Sequence, residues 1–119
     1  MDDTMIQIFG IKNCDTMKKA FRWLDENNIE YAFHDYKKAG LDEETAKAWI
    51  DTMGWENIIN KRGTTWRKLD EEIKSSMNND NAMHLMVTQP SIIKRPLVIT
   101  KGSIHLGFSP EEYASLFLA

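Results

Sequence analysis

Two kinds of hydrophobic periodicity follow one another in residues 5–36, and their order constrains the fold more than any other feature of the chain. Met5-Ile6-Gln7-Ile8-Phe9 is a short, mostly apolar run stopped by Gly10, the pattern of a buried strand. Met17, Ala20, Phe21, Leu24 and Asn28 then recur at the 3.6-residue period, with Lys18, Lys19, Arg22 and Asp25 on other faces. That spacing predicts an amphipathic helix ending near Asn27-Asn28. Ile29 to Tyr36 alternates apolar and polar residues, as a second strand should. Strand, helix and strand in this order favour two parallel strands in one sheet, because parallel neighbours need a crossover between them.

The middle of the chain reads differently. Ala46, Trp49, Ile50 and Met53 fall on one helical face, and Asp42 is placed to cap that helix. Asn60-Lys61-Arg62-Gly63-Thr64-Thr65 reads as a polar loop. Asp70 is placed to cap a short helix, and Ala82, Leu85 and Met86 mark another before Pro90. The end returns to sheet: Leu97–Thr100 and Ser103–Leu106 flank Lys101-Gly102 as a hairpin. Ser109-Pro110-Glu111-Glu112 supplies an N-cap, a first-turn proline and a capping-box glutamate for a last helix, with Tyr113, Leu116 and Phe117 on its apolar side. The order βαβ, helical segment, ββα predicts an α/β fold: a thioredoxin-like (glutaredoxin-like) mixed sheet with a helical insertion. Residues 1–38 and 91–119 would form the core and 39–90 the insertion of one 119-residue domain.

Charge and cysteine content narrow the function. A formal charge of −3 argues against direct nucleic-acid binding, which needs a basic face. No apolar run approaches the length of a membrane span, and MDDTMIQIFG lacks a signal-peptide pattern, so a cytoplasmic protein that does not bind membranes is expected. The single cysteine, Cys14, cannot form an internal disulfide, and a free thiol persists in a reducing compartment. A cysteine-rich zinc site is excluded by count, and His34, His84 and His105 have no short metal-ligand spacing, so no metal site is expected.

Cys14 sits where the first strand gives way to the helix. Unpaired N–H groups and the positive end of a helix stabilise a nearby anion, and only the thiolate is a nucleophile. Asn13, Asp15 and Thr16 offer capping groups; Lys12 and Lys18 add positive charge, against which Asp15 acts. A lowered thiol pKa is expected. The alternative is a small buried hydrophobe, the common fate of a free cysteine. Two other chemistries fail on inspection. A C-x-x-C dithiol has Met17 in its last place, and a C-x₅-R phosphatase loop would need arginine where Ala20 stands. A second constellation is Arg95-Pro96, immediately ahead of a strand, where an X-Pro bond can be cis. In a thioredoxin-like fold such a proline lies beside the cysteine loop, within reach of an anion for Arg95. The alternative is a solvated basic pair, Lys94-Arg95.

With these residues in hand, the sequence resembles the arsenate reductase-related family, the group containing ArsC, Spx and YffB, and is most similar to its YffB branch. The resemblance lies in Phe9–Thr16, Phe33–Tyr36, Arg62–Leu69 and Ile92–Leu97, four ordered blocks spanning nearly the whole chain. It implies a nucleophilic cysteine at Cys14, an arginine at Arg95 holding an oxyanion or thiolate, and a cis proline at Pro96. Arsenate reductases carry two further arginines. Around Asn60-Lys61-Arg62 the register is shifted, so Arg62 is an imperfect substitute, and Leu106–Ser109 has none. Losing one charge-assisted contact removes about 1.5–3 kcal/mol, which makes arsenate reduction doubtful.

The resulting expectation is a monothiol, glutathione-dependent reductase. Cys14 and Arg95 would be catalytic, and Lys12, Asn13, Arg62 and Pro96 would bind substrate. Glutathione would be the co-substrate, an oxidised small molecule or protein disulfide the substrate, and no cofactor would be bound. The alternative implied by the Spx branch is a regulator that binds RNA polymerase, here without disulfide sensing because Met17 replaces the second cysteine.

Overall fold

The computed structural model describes residues 5–118. Its chain opens with β1 (Ile6–Gly10), α1 (Asp15–Glu26) and β2 (Tyr31–Asp35). Six helices follow: α2 (Tyr36–Ala39), α3 (Glu43–Met53), α4 (Trp55–Ile58), α5 (Thr64–Arg67), α6 (Glu71–Ser75) and α7 (Asn79–Thr88). A 3₁₀ turn at Pro90–Ile92 leads to β3 (Leu97–Thr100), β4 (Ser103–Leu106) and α8 (Pro110–Phe117). The chain forms two compact units. One holds β1, α1, β2 and everything from Arg95 onward, and the other is Tyr36–Lys94.

In the first unit the four strands lie in the order β2-β1-β3-β4. β1 and β2 are parallel, as their crossover helix requires, and the other pairs are antiparallel. This is the thioredoxin-like mixed sheet expected from the element order. Alternation along β1 sends Ile6 and Ile8 to one face, where they pack with Met17, Ala20 and Leu24 of α1, Val98 of β3 and Tyr113 of α8. Trp23 meets the Tyr113 ring edge-on, with centroids 5.7 Å apart. The Tyr113 hydroxyl donates to the Gly107 carbonyl at 2.9 Å, and burial raises its pKa well above the usual phenol value. Tyr113→Phe leaves that carbonyl without its donor. We expect a loss of about 1 kcal/mol, read as a lower urea midpoint at unchanged m-value.

Local chemistry sets where α1 stops. Asn28 adopts a left-handed φ of 56°, Ile29 N–H donates to Leu24 O at 2.9 Å and Asn28 N–H to Asp25 O at 3.1 Å. This is a Schellman ending, with Ile29 folded onto the same core as Leu24. Asn28 therefore lies past the helix instead of on its stripe. The same closure occupies Ile29, so β2 begins at Tyr31, and Tyr36 starts α2 instead of ending the strand. The hairpin falls where its residues predict, with left-handed φ at Lys101 (50°) and Gly102 (80°). Ser109 caps α8 by accepting from Glu112 N–H at 3.2 Å and donating to the Glu111 carboxylate at 2.9 Å.

The second unit is helical. α3 packs against α7 and α4, and α7 packs on the 3₁₀ turn. Ala46, Trp49, Ile50, Ile58, Ala82, Met86 and Ile92 are buried. Asp42 caps α3, its carboxylate accepting from Thr45 N–H at 2.7 Å, whereas Asp70 precedes α6 with no such bond. Thr64 and Thr65, read as loop, form the first turn of α5. A short antiparallel bridge pairs Ile59 with Ile93, with Asn60 N–H donating to Ile92 O and Lys94 N–H to Ile58 O, each at 2.8 Å. No helix among the described residues is long and apolar enough to cross a membrane.

Candidate active site

Cys14 is the N-cap of α1. Its backbone is extended (φ −146°, ψ 131°), its N–H donates to Lys12 O at 3.1 Å, and its carbonyl accepts from Lys18 N–H at 2.9 Å. This geometry leaves the first N–H groups of the helix open toward the Cys14 side chain. The thiol is half-buried. Burial pushes its pKa up. Against that, the nearby Met17 and Thr16 N–H groups and the Arg95 side chain favour the anionic sulfur, although the thiol makes no cap hydrogen bond to the helix, and the Arg95 charge adds attraction. The lowering effects prevail, and the pKa falls below the ordinary thiol value.

Arg95 reaches Cys14 across a long stretch of sequence because of strand register. β3 runs antiparallel to β1, with Leu97 opposite Phe9. Residues just ahead of Leu97 therefore lie at the end of β1 from which the Gly10–Cys14 loop departs. The Arg95-Pro96 peptide bond is cis. Pro96 is fully buried, and its carbonyl accepts from Gly107 N–H at 2.9 Å. Arg95 is half-buried, unlike the solvated pair the local sequence also allowed.

The remaining candidates are placed less closely. Lys12 and Asn13 are exposed in the loop before Cys14, Lys12 touching it through its backbone. Arg62 belongs to the helical unit, exposed in a turn closed by Gly63 N–H donating to Asn60 O at 3.2 Å. His34, to which the sequence assigned no chemistry, stacks on Phe9 at 4.4 Å and hydrogen bonds with the Gln7 side chain. Trp49 is core, as its helix stripe implies. No group of three or more His, Cys, Asp or Glu side chains suited to a metal ion occurs among the described residues.

Two features escaped the sequence. Met17 reads as a core residue and as the missing second thiol, but it is the N–H of Met17 that faces the sulfur. Its side chain also packs so tightly that a Cβ on Gly10 would lie 2.6 Å from Sδ and 2.7 Å from Cε. Any side chain at this position would have to displace the end of the Met17 side chain. The other feature is a cation–aromatic cluster. Trp55 and Trp66 stack at 6.4 Å, with Lys61 Nζ 5.0 Å and 5.7 Å from their ring centroids.

A lone thiol at a helix N-terminus, facing an arginine that precedes a cis proline on a thioredoxin-like sheet, defines a thiol-centred site. Comparison with known proteins gives the family. The ArsC family model matches residues 9–116, and the chain belongs to that family. A solved structure named YffB (PA3664) protein is 47% identical, with 93% of this chain and 97% of that one covered and a TM-score of 0.88. An arsenate reductase (ArsC) related protein from Brucella melitensis is 45% identical over 100% of this chain and 99% of that one, with a TM-score of 0.80. The global transcriptional regulator Spx of Streptococcus pneumoniae is 24% identical, covering 91% of this chain and 82% of its own. The resemblance seen in the four sequence blocks is thus borne out.

Proposed function

We propose that this chain is a cytoplasmic monothiol reductase that works with glutathione. The observation that supports it is the electrostatic setting of Cys14: two helix N–H groups and Arg95 favour the thiolate, and no second cysteine exists in the chain. In the first step the Cys14 thiolate attacks one sulfur of a disulfide. A Cys14–S bond forms, the substrate S–S bond breaks, and one thiolate leaves. In the second step a glutathione thiolate attacks the outer sulfur of the mixed disulfide and releases Cys14 as thiolate. Glutathione supplies the electrons. Arg95 stabilises Cys14 before attack and after release, while Lys12, exposed in the loop before Cys14, is a cation suited to a glutathione carboxylate.

Arsenate reduction fits less well. Leu106-Gly107-Phe108-Ser109 offers no cation where arsenate reductases carry an arginine. The test is incubation of reduced protein with glutathione disulfide, followed by intact-mass measurement. One glutathione per chain is expected, absent in Cys14→Ser and removed by added glutathione. Wild-type protein that takes up no glutathione would overturn the proposal. Retention on RNA polymerase would then favour the regulatory role suggested by the similarity to Spx.

A further inference from the structure

Gly107 opens the turn between β4 and α8 with a left-handed φ of 87°. No atom beyond its chain neighbours lies within 4 Å of the place a Cβ would take, so side-chain packing does not hold it. Glycine has the widest backbone freedom of any residue, and here two hydrogen bonds take that freedom away. On one side of the Gly107 Cα, its N–H donates to Pro96 O at 2.9 Å; on the other, its carbonyl accepts from the Tyr113 hydroxyl at 2.9 Å. The first bond extends the β3–β4 ladder one step past the Leu97–Leu106 pair, to the residue that follows Arg95. Proline has a fixed φ and no N–H, so its carbonyl is the one polar backbone group by which it can be held. Tyr113 lies at the inner end of this chain of bonds. It is wholly buried, and the rings of Phe108, Phe117 and Trp23 meet it edge-on at 4.8, 5.5 and 5.7 Å.

We propose that Tyr113 is a positioning residue for the thiol site: through Gly107 it fixes the Pro96 carbonyl, and so holds Arg95 against Cys14. The inference deepens the reductase proposal above, since it rests on Arg95 stabilising the Cys14 thiolate. Every residue it uses belongs to the sheet unit. A guanidinium at the end of a long side chain keeps to one anion only when its backbone is held in place. Loosening Gly107 frees the segment ahead of β3, and Arg95 then spends less time at the sulfur. Tyr113 thus acts through Arg95 and not on the sulfur itself.

The test is the pH profile of Cys14 alkylation by iodoacetamide, in protein that circular dichroism shows to be folded. It compares wild type, Tyr113→Phe, Arg95→Ala and the double variant. Tyr113→Phe should move the profile to higher pH and slow the reaction near neutrality about two- to threefold, less than loss of Arg95 itself. In the Arg95→Ala background the same substitution should change nothing, because the group it positions is gone. Gly107→Ala places a Cβ on a left-handed backbone and strains the same link with the tyrosine intact, so it should behave as Tyr113→Phe does. Phe117→Leu removes a ring from Tyr113 but no hydrogen bond; it should lower the urea midpoint and leave the profile in place. A Tyr113→Phe profile that coincides with the wild type would overturn the positioning role, with the reductase proposal intact. So would a shift that persists without Arg95, or one that Phe117→Leu reproduces, since either traces the effect to general packing. An Arg95→Ala profile like that of the wild type would overturn the part of Arg95 in both proposals. Alkylation uses no glutathione, so its outcome is separate from that of the adduct test.

Discussion

Arg95→Ala should move the pH profile of Cys14 alkylation to higher pH and slow the reaction about three- to tenfold near neutrality. The substitution removes both a hydrogen bond to the sulfur and a positive charge beside it, while burial still disfavours the thiolate. The Met17 and Thr16 N–H groups remain, so part of the lowering should survive. The check is the rate of reaction with iodoacetamide from acid to mildly alkaline pH, in both proteins. A profile indifferent to Arg95 would remove it from the site. The same interactions appear in stability. A thiol whose pKa is lowered by folding contributes stability above its unfolded value of about 8.5 and loses it as pH falls through the lowered folded value. The stability advantage of the reduced wild type over Cys14→Ser should therefore grow as pH rises through that window, and grow less in Arg95→Ala.

Gly10→Ala should destabilise the protein by about 1–3 kcal/mol, the usual cost of forcing a group into a packed core. A smaller opposing gain of about 0.4–1 kcal/mol comes from restricting the unfolded chain. The contact responsible is specific: the new methyl group would meet the thioether of Met17, which is wholly buried and forms part of the unit's core. In a Met17→Ala background the same glycine substitution should cost little, and a double-mutant cycle by urea unfolding measures that coupling. If the cost persists without the methionine side chain, the contact is not its cause.

Much of the fold was legible because its elements are coded locally. The alternation of Ile6 and Ile8, the helical stripe through Met17, Ala20 and Leu24, the Lys101-Gly102 turn and the Ser109-Pro110 cap each act over a few residues. Sequence pattern and structure part at the junctions between elements. The apolar side chain of Ile29 fits the start of a strand, while its N–H is claimed by the Schellman ending of α1. Thr64 and Thr65 looked like loop because a single helical turn has no period to detect.

The site divides along the same line. Cys14 at a strand-to-helix junction already implied a stabilised thiolate, because helix N–H groups are open at any N-terminus, whatever the surrounding fold. The absence of a second cysteine settled, without any coordinates, that the thiol has no partner within the chain. The pairing of β1 with β3 brings Arg95 to Cys14, which lies far from it in sequence and whose N–H and carbonyl bonds are all local. Packing alone explains why Gly10 faces Met17 and why Lys61 rests on two indoles separated by a turn. These are contacts between side chains set by register and burial, and nothing in a residue's immediate neighbours records them.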